Sequence, residues 1–369
     1  MISDKLTVII PTYNRYEKLL RLLTYVDSIK SSCLFVILDS SDNREPVKTK
    51  LFRDLISKNN VSHVVYDPSI NPMRKIADGL KNIKTPYAVL WADDDLMIPG
   101  AFEEAVFFLE THRAYSMVNG ISILFSVTPG ESDTPIITIG PYLQRGISDD
   151  LPSQRLRNHL DSYSTTFYSV HRTKNLKKNI ELCNDTDFVY HFGELTSSCL
   201  AVIQGKLHTM QRLYMIREAH QNINSWRDKK INDFFDLVVG SNFSKNYEYF
   251  REYVARELVS YEHISVEKAR DIAKQAFWSY LGTGMVKKYN STYVRPKRNS
   301  RIKNRLKQFP FLWRNSKNIW EFVKIIRTNL FPSTVLSLNS LLQSRSKYHT
   351  DFIPAYNIIN KFSTRRLDI

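Results

Sequence analysis

The stretch YAVLWADDD, from Tyr87 to Asp95, joins a short apolar run to three consecutive aspartates. Residues 87–91 have the length and the composition of a buried β-strand, so the aspartates follow directly at its carboxyl end. Three adjacent carboxylates repel one another unless positive charge lies among them. The sequence therefore predicts a strand end that concentrates negative charge and needs a cation: Asp93, Asp94 and Asp95.

Similar apolar runs occur earlier in the chain and alternate with stretches in which apolar residues recur at helical spacing. The runs are KLTVII (Lys5–Ile10), LFVIL (Leu34–Leu38) and VSHVVY (Val61–Tyr66). Strands separated by helical patterns indicate βαβ units, and hence an α/β fold with a mostly parallel sheet flanked by helices. Ligands of such sheets bind at the carboxyl ends of the strands. Thr12, Asn14 and Asp39, which follow the first two runs, are therefore candidates alongside the aspartates.

The overall composition is that of a globular chain. Its 369 residues allow two domains, and 43% hydrophobic with 24% charged residues excludes a disordered chain or a collagen-like repeat. No apolar run approaches ~18 residues, so no membrane-spanning helix is expected. The N-terminal MISDKLTVIIP is interpreted as a first strand and not as a secretion signal. Three cysteines without CxxC spacing, Cys33, Cys183 and Cys199, favour reduced thiols in the cytosol over a zinc site.

The loop after the first strand excludes two common nucleotide-binding classes. PTYNRYEK, residues 11–18, contains neither GxGxxG nor GxxxxGK, which disfavours a dinucleotide dehydrogenase and a P-loop nucleotidase. Two interpretations of the aspartates remain open. They hold Mg²⁺ or Mn²⁺ on a diphosphate leaving group, or they cap the helix that follows Pro99.

Three longer stretches resemble one enzyme family. TVIIPTYNRYEKLLRLL (7–23), FVILDSSD (35–42) and NPMRKIADGLKNIKTPYAVLWADDDLMIPGAFEEAV (71–106) resemble the opening strand, the second strand and the DxD region of family 2 glycosyltransferases, whose nucleotide-sugar-binding fold is called GT-A. The resemblance covers about residues 5–225. It implies an inverting, metal-dependent transfer of a sugar from a nucleotide-sugar, most often a UDP-sugar, to an acceptor hydroxyl. The resembling members act in bacterial surface-polysaccharide or glycoconjugate synthesis on glycan or lipid-linked acceptors.

The same resemblance implies roles on the donor side. Asp39 would contact the nucleobase, and Asp94, counted back from Pro99, would bind Mn²⁺ or Mg²⁺, with Asp93 near the ribose or the metal. Ala92 stands where the family has its first acidic residue, so either Asp93 takes that role or the metal has one protein ligand fewer. Further donor-binding candidates are Pro11, Thr12, Tyr13, Asn14, Arg15, Arg74 and Arg217, and further metal candidates are Asp95 and His220.

An inverting transfer also needs a base that takes the proton of the acceptor hydroxyl. VYHFGELTSSCLAVIQGKLHTM, residues 189–210, resembles the family's later acidic motif and makes Glu194 the first candidate and Asp187 the second. The family more often has Glu-Asp where this chain has Glu-Leu, and the alternative is that Glu194 merely lies in the first turn of a helix. In TFYSVHRTKNL, residues 166–176, His171 and Arg172 are candidates for acceptor or donor contacts.

The net charge of +15 is concentrated near the C-terminal end. Residues 287–328 contain thirteen basic residues and one acidic residue, and apolar positions within residues 319–330 recur at helical spacing beside Trp320. A basic helix with aromatic residues favours an anionic membrane surface. The alternatives are packing on the protein's own core and nucleic acid, for which no motif is present and no binding is expected.

These observations predict two regions. Residues 1–230 form a GT-A domain with a donor-binding half (1–115) and an acceptor-side half (116–230). Residues 231–369 form a helical region with a basic amphipathic segment, 287–330. The enzyme would be cytoplasmic and peripheral on the inner face of the membrane. The competing hypotheses are a sugar nucleotidyltransferase, a nucleic-acid enzyme with a basic arm, and a non-catalytic nucleotide-sugar-binding protein on the same fold.

Overall fold

The computed structural model describes residues 1–129, 135–184, 188, 190–219, 234–290 and 336–364. In chain order residues 1–115 contain β1 (Leu6–Thr12), α1 (Tyr16–Ser28), β2 (Leu34–Asp39), α2 (Lys50–Lys58), β3 (Val61–Val65), α3 (Pro72–Lys81), β4 (Tyr87–Leu90), β5 (Leu96–Met97) and α4 (Pro99–Thr111). There follow β6 (Tyr115–Pro129), β7 (Pro135–Tyr142), α5 (Pro152–Asp161), β8 (Val170–Arg172), α6 (Thr173–Asn184), α7 (Tyr190–Gln204) and β9 (Lys206–Glu218). The remaining helices are α8 (Phe234–Val239), α9 (Phe243–Glu262), α10 (Val266–Tyr289), α11 (Leu338–Leu341) and α12 (His349–Thr364).

The strands of the described residues form one nine-stranded sheet in the order β3-β2-β1-β4-β8-β6-β9-β5, with β7 paired to β6. Strands β1 to β4 run parallel to one another, whereas β8 is antiparallel to both of its neighbours and β6 pairs with β9 in parallel. The register pairs Thr12 with Asp39 and Ile9 with Leu90, so β1, β2 and β4 end at the same edge. The predicted α/β class, with helices around the sheet and a helical C-terminal region, is confirmed.

Alternation along β1 shows why the sheet needs helices on both faces. Val8 and Ile10 point into one apolar cluster and Ile9 into the other, and all three are fully buried. Side chains of a strand alternate between its two faces, so a strand that is apolar at every position must be covered on both. The first cluster involves α1, α4 and α12, and the second involves α3, α6, α7, α9 and α10.

The last helix returns to the N-terminal half of the chain. Phe352, Ala355 and Ile359 of α12 are almost completely buried in the cluster that also contains residues of α1 and β1. Asp351 accepts two hydrogen bonds of 3.0 Å from the guanidinium of Arg212 on β9. The C-terminal helix is therefore part of the core beneath the sheet.

The described residues bear on two expectations from the sequence, one about the cysteines and one about membrane-spanning helices. Cys33, Cys183 and Cys199 are buried free thiols, as their spacing predicts. Among the helices in the described ranges, none combines the length and the hydropathy that a membrane crossing requires.

Candidate active site

The three aspartates lie in the connection between β4 and β5, at the carboxyl end of the parallel strands. Asp93, Asp94 and Asp95 are only 2%, 7% and 2% exposed. The fully buried Trp91 donates a 2.9 Å hydrogen bond from Nε1 to the carbonyl oxygen of Asp95 and so holds the turn. The predicted acidic strand end is therefore buried rather than solvated.

Arg15 contacts two of these aspartates. Its Nη1 donates a hydrogen bond of 2.6 Å to Asp94 Oδ2 and one of 3.2 Å to Asp93 Oδ1. Asp93 accepts a further hydrogen bond of 2.7 Å from the hydroxyl of Thr12. Burial alone would lower the pKa of Arg15, but the charges of Asp93 and Asp94 raise it overall. Arg15 therefore remains cationic against the acidic loop.

The surroundings of Asp93 and Asp95 disfavour the ionised form of their carboxyl groups. Burial first, and then the charge of Asp94, raises the pKa of both Asp93 and Asp95 above the usual range of an aspartate. Arg15 opposes this shift at Asp93, and Arg217 opposes it at Asp95. Because like charges at close range disfavour ionisation, additional positive charge would stabilise the loop.

Asp95 has other partners than Arg15. Its Oδ1 accepts a 3.0 Å hydrogen bond from the backbone N–H of Glu218, whereas its buried Oδ2 accepts none and lies 3.9 Å from Nε of Arg217. Across the described residues, no three His, Cys, Asp or Glu side chains converge as a metal site. Asp93 and Asp94 do converge on one cationic group, and one or two carboxylates suffice for Mg²⁺ when phosphates complete its coordination. The residues therefore fit a divalent cation that arrives with a diphosphate.

Asp39 is fully buried at the end of β2. Its Oδ2 accepts a 2.6 Å hydrogen bond from the hydroxyl of Tyr16 and lies 2.9 Å from Nε2 of His63, and its Oδ1 accepts one of 2.9 Å from the N–H of Ser41. Burial would raise the pKa of Asp39, but these hydrogen bonds lower it overall. Asp39 is thus a fixed, buried anion at the end of β2.

The loop after β1 is tied to the loop after β2. Asn14 has a φ of 54°, in the left-handed region that asparagine tolerates better than most residues. Its Nδ2 donates a 2.6 Å hydrogen bond to Asp42 Oδ2, its Oδ1 accepts one of 3.0 Å from the N–H of Asp42, and the hydroxyl of Tyr13 donates to the same carboxylate at 3.1 Å. The predicted donor-binding residues 11–15 therefore lie beside the end of β2.

Lys75, which the sequence analysis missed, joins the same two loops. This α3 residue is fully buried, and its Nζ donates hydrogen bonds of 2.7 Å to the carbonyl oxygen of Thr12 and of 2.8 Å to Oγ of Ser40. Burial lowers the pKa of Lys75 to about 8, while the charges of Asp39 and Asp93 act in the opposite direction. Nothing in the α3 sequence distinguishes this lysine from a solvated one.

Two further residues missed by the sequence analysis support the aspartate loop from α1. The buried Arg21 donates from Nη2 to the carbonyl oxygen of Asp94, and its Nη1 lies 2.8 Å from Glu218 Oε2. Lys18 lies 2.6 Å from the other oxygen of the same glutamate. An arginine inside the apolar stripe of α1 was the available signal, because arginine is rarely buried unless it is paired.

Glu194 is the fifth residue of α7 and half-buried. Its Oε1 accepts a 2.9 Å hydrogen bond from the hydroxyl of Thr165, in the loop between α5 and β8. The second candidate base, Asp187, lies outside the described residues, and so does His220. Most of the segment 287–330 lies outside them as well.

Arg217 occupies the space between two tyrosine rings near the end of β9. Its guanidinium carbon lies 5.2 Å from the ring centre of Tyr142 and 5.3 Å from that of Tyr168, and its Nη1 donates a 2.8 Å hydrogen bond to the hydroxyl of Tyr142. Burial would lower the pKa of Arg217, but Asp95 first, then the two tyrosines and Glu194, raise it overall. Arg217 therefore interacts electrostatically with both the aspartate loop and the candidate base.

Three other candidates have different surroundings. Arg74 lies exposed on α3, next to the buried Lys75. His171 is buried, with Nε2 3.0 Å from the carbonyl oxygen of Thr166, and Arg172 donates to the carbonyl oxygens of residues 109 and 115. These contacts give His171 and Arg172 a role in supporting the backbone around β8.

Comparison with known proteins gave matches among solved structures alone, since no protein-family model and no curated protein matches the chain. A crystal structure of S. aureus TarS, residues 1–349, is similar to this chain with a TM-score of 0.49 and 14% identity, covering 97% of this chain and 90% of that one. The same TarS fragment in complex with UDP-GlcNAc gives a TM-score of 0.48 at 14% identity with the same coverage. Its complex with UDP gives a TM-score of 0.48 at 14% identity, again over 97% of this chain and 90% of that one.

Proposed function

We propose that this protein is a glycosyltransferase that moves a sugar from a nucleotide-sugar, preferentially a UDP-sugar, to an acceptor hydroxyl with inversion at the anomeric carbon. The observation that carries the proposal is the clustering of Asp39, Asp93, Asp94 and Arg15 at one edge of the parallel strands. Such an edge combines a fixed anion for a nucleobase with paired carboxylates suited to a cation on a diphosphate.

On the donor side, Asp39 and the loop of residues 11–15 hold the nucleoside. Arg74, exposed at the start of α3, is retained as a further donor contact. Asp94, aided by Asp93, would hold Mg²⁺ or Mn²⁺, with Asp95 and His220 as further proposed ligands. Bound there, the cation would supply positive charge against the departing diphosphate.

On the acceptor side, Glu194 takes the proton of the attacking hydroxyl as the bond to the leaving phosphate oxygen breaks. The hydrogen bond from Thr165 orients its carboxylate, which supports this assignment because a base must be held in geometry to act. Attack from the face opposite the diphosphate inverts the anomeric carbon. Asp187 is retained as the second candidate.

Arg217 is proposed to bind the diphosphate. Its guanidinium is half-buried beside Tyr142 and Tyr168 and is kept cationic by its surroundings, chiefly Asp95. A planar guanidinium held in this way is well suited to phosphate oxygens. Its electrostatic interaction with Glu194 supports a site in which leaving group and base act on one sugar.

The acceptor is proposed to be a glycan or a lipid-linked glycan in surface-polysaccharide or glycoconjugate synthesis. The thirteen basic residues of 287–328 support a peripheral position on an anionic membrane surface. Such a position would keep the enzyme near a membrane-bound acceptor on the cytoplasmic side.

Thermal unfolding of the full chain with a panel of nucleotide-sugars, each with and without Mn²⁺, tests the proposal. A ligand that binds only the folded state raises the melting temperature. We expect stabilisation by at least one nucleotide-sugar, greater with Mn²⁺, and loss of the Mn²⁺-dependent part in Asp94→Asn. The exposed Asp271→Asn on α10 is the matched control. No stabilisation by any nucleotide or nucleotide-sugar would contradict the proposal.

A further inference from the structure

Arg15 lies where a cation shared by Asp93 and Asp94 would lie. A single nitrogen, Nη1, donates to one oxygen of each carboxylate, at 3.2 Å and 2.6 Å. The arginine side chain is 18% exposed, and those of Asp93 and Asp94 are 2% and 10% exposed. A divalent cation approaching these oxygens therefore meets a positive charge that is already in place.

The backbone places Arg15 beside the aspartates, and its side chain is partly exposed to solvent. It follows Asn14, whose φ of 54° turns the chain, and it is the residue that precedes the first turn of α1. Its side chain is the most exposed of the three side chains in the contact. Arg15 itself belongs to neither β1 nor α1.

The aspartate loop contains a carboxylate oxygen without a hydrogen bond even with Arg15 in place. Oδ2 of Asp95 is buried and accepts no hydrogen bond, and Nε of Arg217 approaches it only to 3.9 Å. Asp95 itself is 2% exposed and lies next to Asp94 in the chain. The loop therefore suits a cation of higher charge than one guanidinium.

We propose that Arg15 is a tethered placeholder that holds Asp93 and Asp94 together in the donor-free enzyme and competes with the divalent cation for them. This inference rests on the proposed function. When the donor binds, the guanidinium of Arg15 forms hydrogen bonds with its diphosphate and no longer with the two carboxylates. The divalent cation then binds the carboxylates. Free Mn²⁺ then binds weakly, and UDP and Mn²⁺ strengthen each other's binding, since coupling between two ligands is reciprocal.

The test is Mn²⁺ binding to the full chain, measured by calorimetry and by electron paramagnetic resonance of free Mn²⁺, with and without UDP. In Arg15→Gln, which removes the competing charge-assisted hydrogen bonds, we expect Mn²⁺ affinity without UDP to rise about tenfold. The strengthening of Mn²⁺ binding by UDP should shrink correspondingly. Arg15→Lys keeps the charge and should stay close to the wild type, which separates competition from a general disturbance of folding. Arg53→Gln, at an exposed arginine of α2, is the matched control and should change nothing.

Each outcome decides the matter. Mn²⁺ binding that is equal or weaker in Arg15→Gln than in the wild type overturns the placeholder. So does a lack of Mn²⁺ binding by both the wild type and the variant. If the wild type still binds UDP in these two cases, the proposed function survives. If UDP and nucleotide-sugars fail to bind the wild type with or without Mn²⁺, the proposed function itself fails. Tighter Mn²⁺ binding in Arg15→Gln but not in Arg15→Lys supports the placeholder.

Discussion

The hydroxyl of Thr165 donates a 2.9 Å hydrogen bond to Oε1 of Glu194. The threonine lies in the loop between α5 and β8, and the glutamate lies on α7, so the contact joins two segments 29 residues apart. A hydrogen bond to one carboxylate oxygen limits the rotamers of a flexible side chain. If Glu194 is the base, as proposed, this contact would orient its carboxylate without help from a second acidic residue beside it.

Replacing Glu194 by glutamine should leave donor binding intact and reduce transfer. An amide has nearly the same shape but takes up no proton, and general-base catalysis contributes about 10²–10⁴-fold. The measurement is the initial transfer rate together with donor affinity from thermal unfolding. Glu181→Gln, at an exposed glutamate of α6, serves as the control. Full transfer activity in Glu194→Gln would assign the base to another residue.

Replacing Thr165 by valine tests positioning separately from proton transfer. Valine matches the shape of threonine but donates no hydrogen bond, so the carboxylate of Glu194 should lose its preferred orientation. We expect a lower kcat with little change in the KM of the donor, since the loop does not belong to the strand ends that hold Asp39 and Asp94. A rise in KM with unchanged kcat would mean that Thr165 acts on binding instead.

Lys75 makes stability depend on pH in a predictable direction. Burial lowers its pKa from 10.5 to about 8, so between about pH 8 and 10.5 the unfolded chain binds more protons than the folded one. Stability therefore rises with pH across that window, by up to roughly 3 kcal/mol from this group. The comparison is urea unfolding of the wild type and of Lys75→Met at several pH values. The wild type should gain stability relative to the variant as the pH rises.

The control for Lys75 is Lys58→Met, at an exposed lysine of α2. Its stability difference from the wild type should not change with pH in this window. A Lys75→Met difference that is equally flat would show that the lysine is not buried in solution.

The position of α12 in the core predicts a large effect from a residue near the C-terminal end. Phe352 is fully buried against the cluster that contains residues of α1 and β1. Replacing it by alanine should lower the free energy of unfolding by about 3–5 kcal/mol, measured by urea denaturation. Phe107 on α4 is 67% exposed, and its replacement by alanine should cost less than about 0.5 kcal/mol. Similar losses for the two variants would place α12 outside the folded core.

The strands and the aspartate loop were predictable because they depend on short-range patterns. The run from Tyr87 to Trp91 and the aspartates after it are contiguous, and parallel pairing brings Thr12 and Asp39 to the same edge. A helical region was predicted for residues 231–369, but α12 was not singled out within it, since Pro354 lies inside this helix and proline normally interrupts a helical pattern. Here tertiary packing of Phe352 and its neighbours outweighs the local preference.

The partners of charged residues were beyond what the sequence reveals. Lys75 follows Arg74 directly, yet the first is buried under two loops and the second is exposed. His171 and Arg172 look like ligand contacts in the sequence, whereas their hydrogen bonds go to backbone carbonyl oxygens. Which polar group meets which carbonyl is decided by the three-dimensional packing of segments distant in the chain.

The proposed membrane contact can be tested without removing α12. Six basic residues of the segment can be replaced by glutamine while residues 336–364 stay intact: Lys297, Arg298, Arg301, Lys303, Arg305 and Lys307. Each basic residue near an anionic surface contributes about 1 kcal/mol to binding. We expect the six-glutamine variant not to co-sediment with vesicles that contain phosphatidylglycerol. The wild type should bind these vesicles at low salt and dissociate from them as the salt concentration is raised.

A control of equal charge change separates location from net charge. Its six glutamine substitutions fall on exposed basic residues of the described part of the chain: Lys50, Arg53, Lys58, Lys84, Arg113 and Lys274. Because screening limits an exposed charge to about 10 Å at 0.1 M salt, distant charges contribute little to a contact made by the segment. The control should therefore keep most of its vesicle binding. Equal losses in both variants would mean that vesicle binding depends on the overall charge of +15. The proposed contact between the segment and the membrane would then be wrong.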